Sequence, residues 1–284
     1  MKLMYFPGCT LKTTAVNYEE TALAVASKLG IELIELERWN CCGVVFNLAA
    51  DSVIHHIGAV RDLIRAQEMS KKVNDNRLVT LCSMCYNVLK RVNELVKIDS
   101  EKLKTMNEFM DEEENYECGI EVLHFIEVIR DLAGYEKVKE NTAKPLGGLK
   151  VAPFYGCTLL RPKEIGIDNP ENPTVLENII ESLGAEAVSF PYRIKCCSAY
   201  DVVYDKKIAE NRAKEIKKAA IRWGANIIAT TCPLCHYNLS LPTRGASIPV
   251  VYFTELMAYA FGLENVLNPE VRKVISSLLG EGVK

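Results

Sequence analysis

Short apolar runs alternate along the chain with longer stretches in which apolar residues return every three or four positions. Residues 2–6, Lys-Leu-Met-Tyr-Phe, read as a buried strand that ends at Gly8-Cys9. Residues 17–29 place Ala22, Val25, Ala26 and Leu29 at helical spacing and stop at Gly30. Ile31–Leu36 reads as a second strand, 52–72 as a helix and Leu78–Leu81 as a third strand. The same order then recurs: strand 149–155, helix 173–183, strand 185–190, helix 205–223 and strand 226–231. Strands alternating with helices predict parallel βαβ units. The expected fold class is therefore α/β, with two similar Rossmann-like parallel-sheet halves related by internal duplication. In such sheets ligands bind beyond the carboxyl ends of the strands.

The cysteines sharpen the repeat. Of 11, all but Cys118 fall into two sets of five. Cys9, Cys41, Cys42, Cys82 and Cys85 read C-x31-CC-x39-C-x2-C, and Cys157, Cys196, Cys197, Cys232 and Cys235 read C-x38-CC-x34-C-x2-C. Flanking residues agree: Phe6-Pro7-Gly8-Cys9-Thr10 matches Phe154-Tyr155-Gly156-Cys157-Thr158, and Leu123–Glu127 resembles Val251–Glu255. Every cysteine motif falls at the end of an expected strand. We expect one domain over residues 1–145 and a second over 146–284, arranged about a pseudo-twofold axis with two sites that face one another. The first half carries an inserted helical stretch over residues 90–118. Its Ser100–Tyr116 part, acidic around Asp111–Glu114, reads as an exposed, solvated helix or hairpin or as a docking surface for a partner. Glu136–Gly148, with Pro145 and Gly147-Gly148, reads as the linker.

Composition narrows the chemistry. The 34 basic and 37 acidic residues give a net charge of −3, which excludes the broad cationic surface that nucleic acid requires. No apolar run approaches a membrane span. The first residues lack a signal-peptide pattern, so a cytoplasmic protein is expected. There thiols stay reduced, and ten in two matched registers argue for metal. Thiolates suit zinc or iron–sulfur clusters. Five per site exceed the four that one tetrahedral zinc needs, and fit a cluster with an expanded or irregular frame. Vicinal disulfides at the two CC pairs would be strained and would leave the other cysteines unexplained. Cys118, without a counterpart, reads as an inert buried thiol. Gly8 and Gly156 let the backbone pass close to a bound group or simply turn the chain.

This arrangement resembles the CCG cysteine-rich domain family, and two copies in one chain are similar to the family of heterodisulfide reductase B-type subunits. The resemblance spans nearly the whole chain, with Ser198 standing where the first half has Gly43. It implies that Cys9, Cys41, Cys42, Cys82 and Cys85 hold one noncubane [4Fe–4S] cluster. Cys157, Cys196, Cys197, Cys232 and Cys235 then hold another. The implied activity is reduction of the coenzyme M–coenzyme B mixed disulfide to two thiols in methanogenesis. The implied partners are a small ferredoxin-like protein and a flavin-containing protein of the same complex, with a hydrogenase or formate dehydrogenase module upstream. Other members serve sulfur, lactate, succinate or quinone metabolism by electron transfer without disulfide chemistry.

Two clusters can each supply one electron to a disulfide held between them. The chain has no G-x-G-x-x-G dinucleotide fingerprint that would bring its own two-electron carrier. Lys12, Arg38, Arg161, Lys163, Arg193 and Lys195 flank the motifs and can bind an anionic substrate, or sit in surface ion pairs. His236, next to Cys235, and His124 can deliver a proton or hydrogen-bond a cluster. His55 and His56 fall in an expected helix and read as structural or exposed. Tyr5, Phe6, Phe154 and Tyr155 read as core.

Overall fold

The computed structural model describes residues 1–44 and 53–281. The first half builds a parallel sheet from β1 (Lys2–Phe6), β2 (Glu32–Glu35), β3 (Arg77–Thr80) and β4 (Glu121–His124), in the order β2-β1-β3-β4. The second repeats it with β5 (Lys150–Phe154), β6 (Glu186–Ala187), β7 (Ile227–Thr230) and β8 (Val250–Tyr252), in the order β6-β5-β7-β8. Met4 lies opposite both Ile34 and Leu78, and Val151 opposite both Ala187 and Ile227. Leu3–Phe6 and Ile227–Thr230 are buried on both faces, which is why they are continuous apolar runs rather than alternating ones. The chain steps from β1 outward to β2 and returns to the other side as β3. That reversal opens a crevice at the carboxyl ends of β1 and β3, and of β5 and β7.

The helices are α1 (Val16–Lys28), α2 (Ile57–Val73), α3 (Ser83–Ile98), α4 (Ser100–Phe109), α5 (Phe125–Glu127), α6 (Tyr135–Asn141), α7 (Val175–Ser182), α8 (Lys206–Arg222), α9 (Pro233–Ser240), α10 (Phe253–Ala260) and α11 (Pro269–Leu278). The first helix of each half is covered by a closing helix of the other: α10 packs on α1, and α6 on α7. Polar side chains weld this seam. Thr21 and Thr254 share a buried hydroxyl pair at 2.8 Å, and Asn17 Nδ2 donates to Glu255 Oε1 at 2.8 Å. Among the described residues no helix is long and apolar enough to cross a membrane.

The structure corrects four expectations. The strand expected at 185–190 shrinks to the two residues of β6, because Pro191, with no N–H to donate, opens a short 3-10 turn over Pro191–Ile194. The insertion does form a largely exposed helix, but one side of it is packed. Asp99 caps α4, and Met106, Met110 and Tyr116 are buried against α3 and its surroundings. Its acidic turn is held by cations, with Glu113 beside Arg61 at 2.8 Å and Glu114 beside Lys71 at 2.5 Å. The expected linker contains α6 and is tied to the second half by Lys144 N–H to Ala260 O and Leu146 N–H to Leu183 O, both 2.8 Å. The helix expected from residue 52 begins as a 3-10 turn, Val53–His56, in which His55 is exposed and His56 buried; residue 52 lies outside the described residues.

Met106 tests the packed insertion. Met106→Ala is expected to lower unfolding free energy by about 2–5 kcal/mol in urea titrations, as for a core methionine. A change within about 0.5 kcal/mol would mean a solvated helix.

Candidate metal centre

The folding of each half carries its five thiols to one edge. Cys9 follows β1, Cys41 and Cys42 follow β2, and Cys82 follows β3 as the N-cap of α3, with Cys85 in its first turn. Cys157, Cys196, Cys197, Cys232 and Cys235 take the same places after β5, β6 and β7, with Cys232 capping α9. Helix starts present free N–H groups and the positive end of the helix dipole, which favour a thiolate.

The sulfurs gather in pairs. Cys9 and Cys41 lie 4.0 Å apart, Cys42 and Cys85 3.5 Å, and Cys197 and Cys235 3.2 Å. Cys157 hydrogen-bonds Cys196. The remaining two, Cys82 and Cys232, follow strand ends that meet at the seam, where Ser83 Oγ lies 3.0 Å from Thr231 Oγ1, so the sites of the two halves abut there. Burial is graded alike in both. Cys42, Cys82 and Cys85 are buried, as are Cys197, Cys232 and Cys235, while Cys9, Cys41 and Cys196 are exposed and Cys157 is half-buried. Each site therefore has a closed floor and an open lip.

Backbone conformation explains the glycines. Gly8 and Gly156 both adopt φ +71°, and a Cβ there would come within 2.9 Å of Cys85 Sγ or 3.1 Å of Cys235 Sγ. A side chain would push the lone cysteine's loop off the C-x2-C pair. The residue after each CC pair is also left-handed. Gly43 has φ +77°, and Ser198 takes the same region at φ 62°, where its N–H donates to Cys196 Sγ at 3.3 Å. The serine that departs from the repeat thus preserves its shape.

Hydrogen bonding makes some thiols much more acidic than others. Bonds from Cys41 and Cys85 hold Cys42 well below the ordinary thiol range, and bonds from Cys235 and Cys82 do the same for Cys232. The bond from Cys157 brings Cys196 down to about 6. The donors Cys41, Cys82, Cys85 and Cys157 move up in return. Thiolate is the form that binds metal.

The two histidines differ. His124 is fully buried as the N-cap of α5; its Nδ1 accepts from Ile126 N–H, so Nε2 carries the proton and donates to Leu81 O at 2.9 Å. Burial lowers it to about 4. His236 is half-buried, stacks on Tyr252 at 4.3 Å, and is likewise lowered by burial to about 4. Both rings are neutral at pH 7. Most of the flanking bases are engaged. Lys12 pairs with Glu19 and Glu35, Arg38 with Glu68, Arg161 with Glu171, and buried Arg193 with Glu177. Exposed Lys195 lies 4.1 Å over the Tyr192 ring, and Lys163 is exposed. The structure thus carries the five cysteines of each half to one sheet edge, sets the His236 ring against Tyr252 and ties most of the bases to carboxylates. Tyr5, Phe6, Phe154 and Tyr155 are core, and Cys118 is half-buried, away from the thiol pairs, at φ 61°.

These residues fit a sulfur-ligated metal group. Two thiolates on one tetrahedral metal at about 2.3 Å lie roughly 3.8 Å apart, close to the pairs seen here. Thr80 and Thr230, fully buried two residues before each C-x2-C, also keep hydroxyls without a partner among the described residues. No three His, Cys, Asp or Glu side chains among the described residues close around one ion.

The cysteine-rich domain model, CCG, matches residues 3–90 and again 151–240. This chain belongs to the CCG family. It is 32% identical over 91% of its length to the membrane anchor subunit of the 8-methylmenaquinol:fumarate reductase from Wolinella succinogenes, covering 92% of that protein. It is 30% identical over 92% of its length to the B-type subunit of the ferredoxin/F420H2-dependent CoB-CoM heterodisulfide reductase from Methanosarcina acetivorans, covering 89% of it. A hypothetical protein from Helicobacter pylori shares the fold at TM-score 0.69 and 14% identity; the match covers 98% of this chain and half of that one. The CCG chain is thus related to components of two kinds of redox complex.

The His124 cap has a pH signature. A histidine lowered in the folded state takes up its proton in the unfolded state first, so its contribution is complete above about 6.5 and is lost as pH falls toward about 4. His124→Asn keeps a capping side chain and removes the titration. In anaerobic urea titrations the stability of wild type relative to this variant is expected to fall between pH 7 and 5; a rise would contradict the buried neutral ring.

Proposed function

We propose that this chain is the iron–sulfur component of a redox complex, with one noncubane [4Fe–4S] cluster in each half. The ligands are Cys9, Cys41, Cys42, Cys82 and Cys85 in one domain (residues 1–145), and Cys157, Cys196, Cys197, Cys232 and Cys235 in the other (146–284). The observation that carries this reading is the meeting of two five-thiol sites at one seam, where the residues flanking Cys82 and Cys232 are tied together by Tyr18 and Ser83. Five thiols per site exceed the four that one tetrahedral ion takes and suit a group with several metal atoms. When bound, two such clusters supply two electrons, one each.

That stoichiometry suits a disulfide, and the heterodisulfide reductase relative points to the coenzyme M–coenzyme B mixed disulfide. Two electrons and two protons break the S–S bond and leave two thiols. The chain's own residues then have defined tasks. The lips formed by Cys9 with Cys41, and by Cys157 with Cys196, are the open sides through which substrate reaches the sites. The buried aromatic seam around Tyr18, Tyr252 and Phe253 keeps water off the floor. His236, half-exposed beside Cys235, relays a proton inward from solvent, while His124 positions Leu81 through its cap. Lys163 and Lys195, which have no carboxylate partner among the described residues, meet the substrate's anionic groups; Lys12, Arg38, Arg161 and Arg193 shape the rim through their ion pairs. Electrons arrive from a small ferredoxin-like protein and a flavin-containing protein of the same complex, supplied by a hydrogenase or formate dehydrogenase module, in the cytoplasm.

The 32% identity to a fumarate reductase component favours a second reading, in which the same sites pass electrons between a quinol and a partner without disulfide chemistry. Metal analysis and substrate addition separate the readings. Anaerobically purified protein is expected to hold about eight irons and eight sulfides per chain. Adding the mixed disulfide to reduced protein is expected to change its visible and EPR spectra. A full iron content with no response to the disulfide, but oxidation of a menaquinol, would move the assignment to the second reading. Zinc in place of iron would overturn both.

A further inference from the structure

We infer that Tyr18 is the positioning residue that fixes the separation of the two cysteine sites. It projects from α1 of the first half and is fully buried. Its hydroxyl lies 2.9 Å from the carbonyl of Leu81 and 3.1 Å from that of Thr231. Those carbonyls belong to the residues directly before Cys82 and Cys232, the cysteines at which the two sites abut. One phenol proton is therefore shared between the strand ends that deliver the abutting thiols, and it can serve both only while they stay close. Neither partner can take the proton, so Tyr18 acts by holding position.

The neighbouring bonds serve the same bridge. Leu81 O also receives His124 Nε2 at 2.9 Å. Thr231 O lies 3.3 Å from Ser83 Oγ, whose hydroxyl is 3.0 Å from Thr231 Oγ1. The ring is gripped as firmly as the hydroxyl. It stacks on Tyr252 with centroids 4.1 Å apart and planes 1° from parallel, and Tyr252 stacks in turn on His236. Phe253 meets the Tyr18 ring edge-on at 6.2 Å. A side chain of the first half thus wedges into an aromatic column of the second that ends beside Cys235. For two one-electron sites serving one substrate, this separation decides whether both reach it together.

The inference deepens the two-cluster reading and rests on it for its spectroscopic arm alone. Tyr18→Phe removes the hydroxyl and keeps the stack. Iron and sulfide content are expected to stay at wild-type levels, while the spin–spin splitting between the two reduced clusters is lost. In metal-free protein, oxidant-driven cross-linking of Cys82 to Cys232, read by peptide mass spectrometry, is expected to slow roughly tenfold, the scale of one buried hydrogen bond. Thr21→Val, which removes a cross-seam bond away from the cysteines, is the control. It should lower the melting temperature and leave both readouts unchanged. Wild-type splitting and cross-linking rate in Tyr18→Phe would overturn the inference, as would equal effects from Thr21→Val. If wild type proves to hold zinc, the two-cluster reading fails and the cross-linking rate alone decides the role of Tyr18. Should Tyr18→Phe not accumulate, Ser83→Ala cuts the parallel bond to Thr231; slower cross-linking supports the bridge, and an unchanged rate overturns it.

Discussion

The two sites depend on the seam between the strand ends that carry Cys82 and Cys232, because there Tyr18 and Ser83 tie together two separate sheets. Both thiols cap helices at the ends of central strands, so neither can move without its strand and its helix. Burying a thiolate at Cys232, which is held well below the ordinary thiol range, is costly unless its partners are fixed. The seam is fixed in layers: Tyr18, Ser83 and Thr231 beside the cysteines, then Thr21 with Thr254 and Asn17 with Glu255. The exchange of closing helices, α10 onto α1 and α6 onto α7, gives this layer its rigidity.

Duplication sets the rest of the design. Each half repeats a buried three-thiol floor and an open two-thiol lip. The glycine before each lone cysteine is demanded by the second sulfur of the C-x2-C pair, and the left-handed residue after each CC pair is demanded by the turn, whether glycine or serine fills it. The halves diverge away from the sites, where α4 packs onto the first half and has no equivalent in the second. The rim cations follow a different logic. Most are spent on carboxylates of the same chain, so the net charge of the rim is lower than its basic residues suggest.

Much of this was legible from residue order. Apolar runs marked every strand but β4 and β8, and two matched cysteine registers marked the halves and their equivalent edges. What the pattern hid is non-local. The shortening of β6 turned on Pro191, which an apolar count passes over. The insertion read as solvated because its acidic turn dominates the local composition, while Met106, Met110 and Tyr116 are too sparse to announce a buried face. His124 was visible as a candidate, but the occupation of its Nε2 by Leu81 O depends on a chain segment more than 40 residues away. Tyr18 escaped because the repeat does not contain it: counting nine residues on from Cys157, as from Cys9 to Tyr18, leads to Gly166. A tyrosine on the apolar face of the first helix, adjacent to the crevice, was the available signal.

The central claim is that each half holds its own multi-iron group and that the two groups meet at the seam. A crystal structure of anaerobically purified protein, with anomalous data collected on both sides of the iron edge, tests it most directly. The expected result is two iron-rich peaks, one at the carboxyl edge of each sheet, on either side of Cys82 and Cys232. Iron in one half alone, or a single tetrahedral zinc in either, would contradict the account.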